Sequence, residues 1–106
     1  MAEVTWSARS LQNLADIYDY IDTKVYAERF VTSLVQRVES QLGVFPNSGR
    51  WVPEFYDSPL SFVREVIHKG YRIIYDPRNA PEKVHILTVR HSRMLLTEKT
   101  VEWILE

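Results

Sequence analysis

Residues 70–93 read GYRIIYDPRNAPEKVHILTVRHSR. Two runs rich in β-formers, Tyr71–Tyr75 and Val84–Val89, are joined by a polar loop that contains proline. Ile73, Ile74, Ile86, Leu87 and Val89 place apolar side chains on both faces of these runs. A strand with two apolar faces has to be covered, so the pair is expected in the middle of a sheet. The same ribbon carries Arg72, Arg90, His91 and Arg93. Core and candidate working surface therefore share one stretch of chain.

Upstream, Phe62–His68 alternates and is rich in β-formers, and Lys69-Gly70 is a tight-turn signal. The spacing predicts a hairpin over 62–76 and, with 84–91, a three-stranded meander. Residues 46–61 are broken by Pro46, Gly49, Pro53 and Pro59 and read as an irregular loop, pinned to the body by Trp51, Phe55 and Tyr56. Before it lie two helical stripes. Leu11, Leu14, Tyr18, Ile21 and Val25 recur at three- and four-residue steps, with Ser7 where an N-cap belongs. From about Tyr26, Ala27, Phe30, Val31, Leu34, Val38 and Leu42 form the second stripe, which Gly43 and Phe45–Gly49 should stop. Asp16, Asp19 and Asp22 read as a solvated face of the first helix. A tight connection makes the two helices an antiparallel hairpin. Glu3–Trp6 reads as an N-terminal edge strand. Leu95, Val101, Ile104 and Leu105 predict a short last helix, capped at Thr97. The order β-α-α-β-β-β-α is α+β: a helical hairpin packed on one face of a mostly antiparallel sheet, in a single domain over 1–106.

Composition narrows the functional classes. The chain has 106 residues, 45% hydrophobic and 25% charged, with a formal net charge of −1. Binding to nucleic acid driven mainly by phosphate contacts is disfavoured at that charge, and so is DNA-sequence recognition by the chain alone. Charge is nevertheless uneven: residues 64–93 carry Arg64, Lys69, Arg72, Arg78, Lys83, Arg90 and Arg93 against Glu65, Asp76 and Glu82. With no cysteine, disulfides, thiol catalysis and thiolate metal sites are out. His68 and His85 have no partner at ligand spacing, so no metal is expected. Ser7, Ser48 and Ser92 lack a nucleophile's context, and the three glycines form no phosphate-binding loop, so no cofactor is expected. No apolar run reaches the roughly 20 residues of a membrane span, and no signal-peptide pattern opens the chain; the cytoplasm is the expected compartment.

WSARSLQNLADIYDYI, FPNSGRWVPE, VREVIHKGYRIIYD and VHILTVRHSR, in this order, resemble the RelE/ParE superfamily of toxins from type II toxin–antitoxin modules. The resemblance spans roughly residues 3–93 and implies the fold already read from periodicity. It also implies a cytoplasmic growth-arresting toxin, of the plasmid-stabilisation kind, held inactive by a cognate antitoxin. Tyr18, Phe30, Tyr71 and Tyr75 are the antitoxin contacts it suggests. The superfamily divides by target: RelE-type members cut mRNA on the ribosome, whereas ParE-type members poison DNA gyrase. FPNSGRWVPE, VREV and VRHSR are closer to the ParE side, which implies Arg64, Arg72, Arg90 and Arg93 as target contacts. For a RelE-like endonuclease the resemblance implies Arg72, Arg90, His91 and Arg93 with Glu54 as the catalytic set. Cleavage by 2′-hydroxyl attack needs a base, an acid and cations against the phosphate charge. The two strand lysines of the lysine-based nucleases are absent, however; Arg64 and Glu65 stand there. A relative without toxicity, kept as an antitoxin-binding module, is the third reading. Against all of these stand plain structural roles: Arg72 paired with Glu65 across the hairpin, Glu54 solvated, and His91 hydrogen-bonded at a sheet end.

Overall fold

The computed structural model describes residues 1–94 and 96. Its elements run β1 (Glu3–Trp6), α1 (Ala8–Tyr20), α2 (Lys24–Val44), β2 (Arg50–Trp51), a 3-10 turn (Pro53–Phe55), β3 (Arg64–His68), β4 (Tyr71–Asp76) and β5 (Lys83–His91). The five strands form one sheet in the order β1-β5-β4-β3-β2. Only β1 on β5 is parallel; the other pairs are antiparallel. The predicted meander and N-terminal edge strand are therefore present, and β4 and β5 lie inside the sheet as their two apolar faces require. The predicted last helix, with Leu95, Thr97, Val101, Ile104 and Leu105, lies outside the described residues.

Local chemistry explains most boundaries. The Ser7 side chain accepts the Ser10 N–H at 3.0 Å and caps α1. It also donates to the Leu87 carbonyl at 2.8 Å, tying the helix start to β5. Where β1 ends, the Asn13 Oδ1 of α1 takes over the strand's role by accepting the Val89 N–H at 3.0 Å. Lys69 and Gly70 have φ of 47° and 86°, the positive pair that a tight hairpin turn needs between β3 and β4. At Gly49 an added Cβ would come within 2.7 Å of the Glu65 carbonyl, and the Gly49 N–H donates to the Tyr75 Oη at 2.9 Å. Only glycine lets the chain pass there.

Several boundaries and faces differ from the sequence expectation. Leu11 and Val25 are exposed, and Val25 belongs to α2; the buried stripe of α1 is Ser10, Leu14 and Ile17. Leu11 lies one residue off that stripe, and near a helix end the period alone does not resolve so small a shift. Gly43 lies within α2 rather than ending it, because the helix continues to Val44. The loop over 46–61 holds a two-residue edge strand and a 3-10 turn. Phe55 does anchor it, but Trp51 and Tyr56 are exposed.

Two hydrophobic clusters sandwich the sheet. Leu14, Ile17, Leu34, Val38 and Leu42 of the helices meet Val66, Ile73, Tyr75, Val84, Ile86 and Val89 on one face. Val52, Phe55, Leu60 and Val63 of the long loop cover Ile74 on the other. A register shift at Ile74/Tyr75 divides β4 and β5. Beyond it, toward the β3–β4 turn, the second face carries Arg72 and Arg90 directly opposite one another. The loop cluster thus covers one half of that face, and the cations occupy the other.

Candidate functional site

Arg72 is the centre of the polar half. Strand alternation puts it on the same face as Glu65 and Ile67 of β3, since Ile67 is its cross-strand partner. Its Nε donates to the Glu65 Oε1 at 2.6 Å. Its Nη1 and Nη2 donate to the two Glu54 carboxylate oxygens at 2.6 and 2.8 Å, a bidentate fork. Glu65 also accepts from the Arg50 Nε at 2.7 Å. The chain Arg50–Glu65–Arg72–Glu54 alternates in sign from a surface guanidinium to a carboxylate whose side chain is 29% exposed. Its middle is dry: the Arg72 and Glu65 side chains are 8% and 0% exposed. The sequence reading of Arg72 with Glu65 is therefore present, but as a buried pair. Glu54 is exposed, as the sequence suggests, yet it is not free: the 3-10 turn at Pro53–Phe55 brings its carboxylate onto Arg72.

Electrostatics follow the geometry. The hydrogen bonds from Arg72 hold the Glu54 carboxyl below the usual carboxylate range. Those to Glu54 and then Glu65 keep the Arg72 guanidinium more firmly protonated than usual against the cost of burial. Burial, then repulsion from Arg72 and Arg9, pulls the Arg90 guanidinium down. Arg90 therefore lies within the field of both Arg72 and Arg9.

A cleft of about 610 Å³ opens between the second half of α1 and the end of β5. Ile17, Tyr71 and Val89 supply apolar walls, while Asn13, Asp16, Arg90, His91 and Arg93 supply polar ones. His91 meets Tyr71 edge-on at 5.2 Å, and its Nδ1 accepts the Arg93 N–H at 3.2 Å. The structure thus brings Arg90, His91 and Arg93 into one cleft, with Arg72 opposite Arg90 on the neighbouring strand. Arg64 stands apart: its guanidinium stacks on the Trp51 ring at 3.8 Å and donates to the Gly49 carbonyl at 2.8 Å, which secures the loop. Among the suggested antitoxin contacts, Tyr18, Phe30 and Tyr71 are half-buried, and Phe30 packs on Tyr71 at 5.6 Å. Tyr75 is a correction: it is wholly buried beneath the helices, its hydroxyl accepts the Gly49 N–H, and it offers no surface to a partner. Asn13 and Tyr20 also line the cleft but were missed. Only the rotational phase of α1 could have revealed them. Among the described residues, no group of three or more potential metal ligands comes together.

His68 is buried beside Phe30, and among the described residues its Nε2 has no hydrogen-bond partner. Burial, then the Arg37 and Lys69 charges, lowers its pKa below 6.5. Below that value the unfolded chain binds the proton more readily, so stability should fall as pH drops from about 6.5. His68→Leu is expected to flatten the stability profile between about pH 5 and 7 and to be neutral or stabilising at pH 7 by up to about 1–2 kcal/mol. Urea melts across that range check it; an unchanged slope would assign the pH dependence to other groups.

Comparison with known proteins agrees with this architecture. The chain resembles the chromosomal ParDE toxin–antitoxin system from P. aeruginosa, with a TM-score of 0.66 at 19% identity, covering 86% of this chain and 96% of that one. It resembles the RelBE2 toxin–antitoxin complex from Mycobacterium tuberculosis with a TM-score of 0.63 at 18% identity, covering 85% and 96%. At such identities the likeness is one of fold. No curated protein matches the chain in sequence. Residues 4–96 match the family described as "ParE toxin of type II toxin-antitoxin system, parDE". With that match spanning most of its length, the chain belongs to the ParE toxin family, within the RelE/ParE superfamily of type II toxin–antitoxin toxins.

Proposed function

We propose that this toxin arrests growth by protein–protein contact with DNA gyrase, in the cytoplasm, and is neutralised by a cognate antitoxin. The observation that carries the choice of target is the state of Arg72. A ribosome-dependent nuclease would need that guanidinium aimed at a phosphate as charge develops there. Here all three of its nitrogens donate to carboxylates of the same chain. Arg64, at one of the positions where lysine-based nucleases carry lysine, is spent on Trp51 and Gly49. What stays accessible is a contact surface: exposed Arg93 and half-buried Arg90 and His91 in the α1–β5 cleft. Exposed Tyr20, Val25 and Tyr26 near the α1–α2 turn offer an apolar patch for an antitoxin segment.

Purified toxin should block gyrase supercoiling and leave mRNA on programmed ribosomes intact. Charge reversal at Arg93 should weaken gyrase inhibition in a graded, salt-sensitive way. His91→Gln, which keeps a hydrogen-bonding side chain without acid–base capacity, should be nearly silent. Cuts in the ribosomal A site by wild type, lost in a folded Arg72→Lys variant, would replace this reading with the RelE-like endonuclease.

A further inference from the structure

We infer that His68 is an acid-operated latch on the α1–β5 cleft: on taking up a proton its ring leaves its place against Phe30, and the Tyr71 wall of the cleft shifts with it. Burial comes first. His68 is 7% exposed, and among the described residues its Nε2 has no hydrogen-bond partner. A neutral imidazole tolerates that place, whereas an imidazolium has two N–H groups to satisfy and a charge to solvate. The ring is also joined to the cleft by contact. Phe30 of α2 rests on His68 at 6.1 Å and on Tyr71 at 5.6 Å, and Tyr71 meets His91 edge-on at 5.2 Å. His68 and Tyr71 are the cross-strand partners that flank the Lys69-Gly70 turn, and Tyr71 and His91 are partners across the next strand pair. Tyr71 and His91 both line the cleft.

The surroundings decide which way the ring moves. The charges that act on it are those of Arg37 on α2 and Lys69 in the turn, both positive, so an imidazolium meets repulsion from each. Phe30 and Tyr71 bring no negative charge near neutrality. β2 pairs with β3 at Arg64 and Glu65, so among the described residues no strand pairs with the outer side of His68. The ring can therefore swing outward at the end of β3 without unpairing a strand. Its departure leaves a void in the row of aromatic contacts, and packed side chains answer a void by shifting. Burial and the two cations keep the proton off His68 until the pH is below the ordinary 6.5, so the cleft holds its shape at neutral pH and loses it in acid. The inference concerns the shape of the cleft and stands whichever target the toxin engages.

The test follows the rings of His68 and Tyr71 and the methyl groups of Ile17, another cleft wall, by NMR from about pH 8 to about pH 5. It uses His91→Gln as the background, because the His91 ring touches Tyr71 and titrates in its own right. The comparison is His91→Gln/His68→Leu. In the single variant the three residues should move in one step with a shared midpoint below about pH 6.5, and the fraction with Tyr71 in place should fall about tenfold per pH unit beyond it. Leu42, near the far end of α2, should stay still over that step. The double variant should hold Tyr71 and Ile17 fixed throughout. Should His68→Leu fail to fold, His68→Met takes its place, and the shared midpoint is read in the single variant alone. The inference is overturned by a His68 that does not titrate above about pH 5, or that titrates at or above about pH 6.5. It is equally overturned if His68 titrates while Tyr71 and Ile17 stay unmoved, or if their step survives the loss of His68. Movement of Leu42 in the same step would also overturn it, since that is global unfolding and not a local latch.

Discussion

Arg72→Ala is expected to destabilise the fold by about 3–5 kcal/mol, the usual cost of removing one partner from a buried ion pair. The reason is what remains. Glu65, with its side chain 0% exposed, would keep only Arg50, which is itself 60% exposed, and Glu54 would lose both of its bonds. Arg72→Lys should cost less, because an ammonium keeps the charge but cannot serve two carboxylates with a planar fork. Urea denaturation at pH 7 measures both; a loss under about 1 kcal/mol for alanine would mean that the network is solvated. The pH dependence follows from the lowered carboxyl of Glu54. As pH falls, the unfolded chain takes up that proton first, so this contribution is complete above about pH 4.5 and disappears as pH drops through the lower folded value. The prediction also governs how toxicity is read. An Arg72→Ala toxin that fails in cells has lost fold as well as charge, so its inactivity would not separate nuclease from gyrase poison. Surface changes such as Arg93→Glu leave the core intact, and reading them by gyrase supercoiling and by ribosomal A-site cleavage makes that distinction.

Much of this fold is legible in the chain because its signals are local. Ser7 caps α1, Lys69-Gly70 turns the hairpin, and the doubly apolar strands of 70–93 demand an interior place in the sheet. Each signal is resolved within a few residues. What escapes is set by distance or by phase. Glu54 and Arg72 are 18 residues apart and meet only because a two-residue edge strand and a 3-10 turn fold the loop back over the sheet. Pro53 looks like a breaker in sequence, yet here it starts that turn. Tyr75 looks like a surface aromatic beside Asp76, but register puts it under α2 with its hydroxyl on Gly49. The cationic cleft was half legible: Arg90, His91 and Arg93 are contiguous in sequence, whereas Asn13 and Tyr20 reach it only through the rotation of α1.

That rotation can be tested where the two helices bury their stripes. Leu34→Ala is expected to cost about 2–5 kcal/mol, whereas Leu11→Ala should stay within about 0.5 kcal/mol. Leu34 is 0% exposed on α2 and sits in the cluster that joins the helices to Ile73, Tyr75, Val84 and Ile86. Truncation removes the apolar area that anchors the middle of a 21-residue helix and leaves a void beneath it. The sheet beneath is held by strand pairing on both sides of β4 and β5, so it has little freedom to collapse into that void, and the cost should fall in the upper part of the range. Leu11 belongs to the same sequence stripe as Leu14 but is 54% exposed, so its truncation removes little buried surface. Equal losses at the two positions, measured by urea denaturation, would show that α1 is rotated toward the phase its leucines suggest. The cleft would then close, because Ile17 could no longer form its wall.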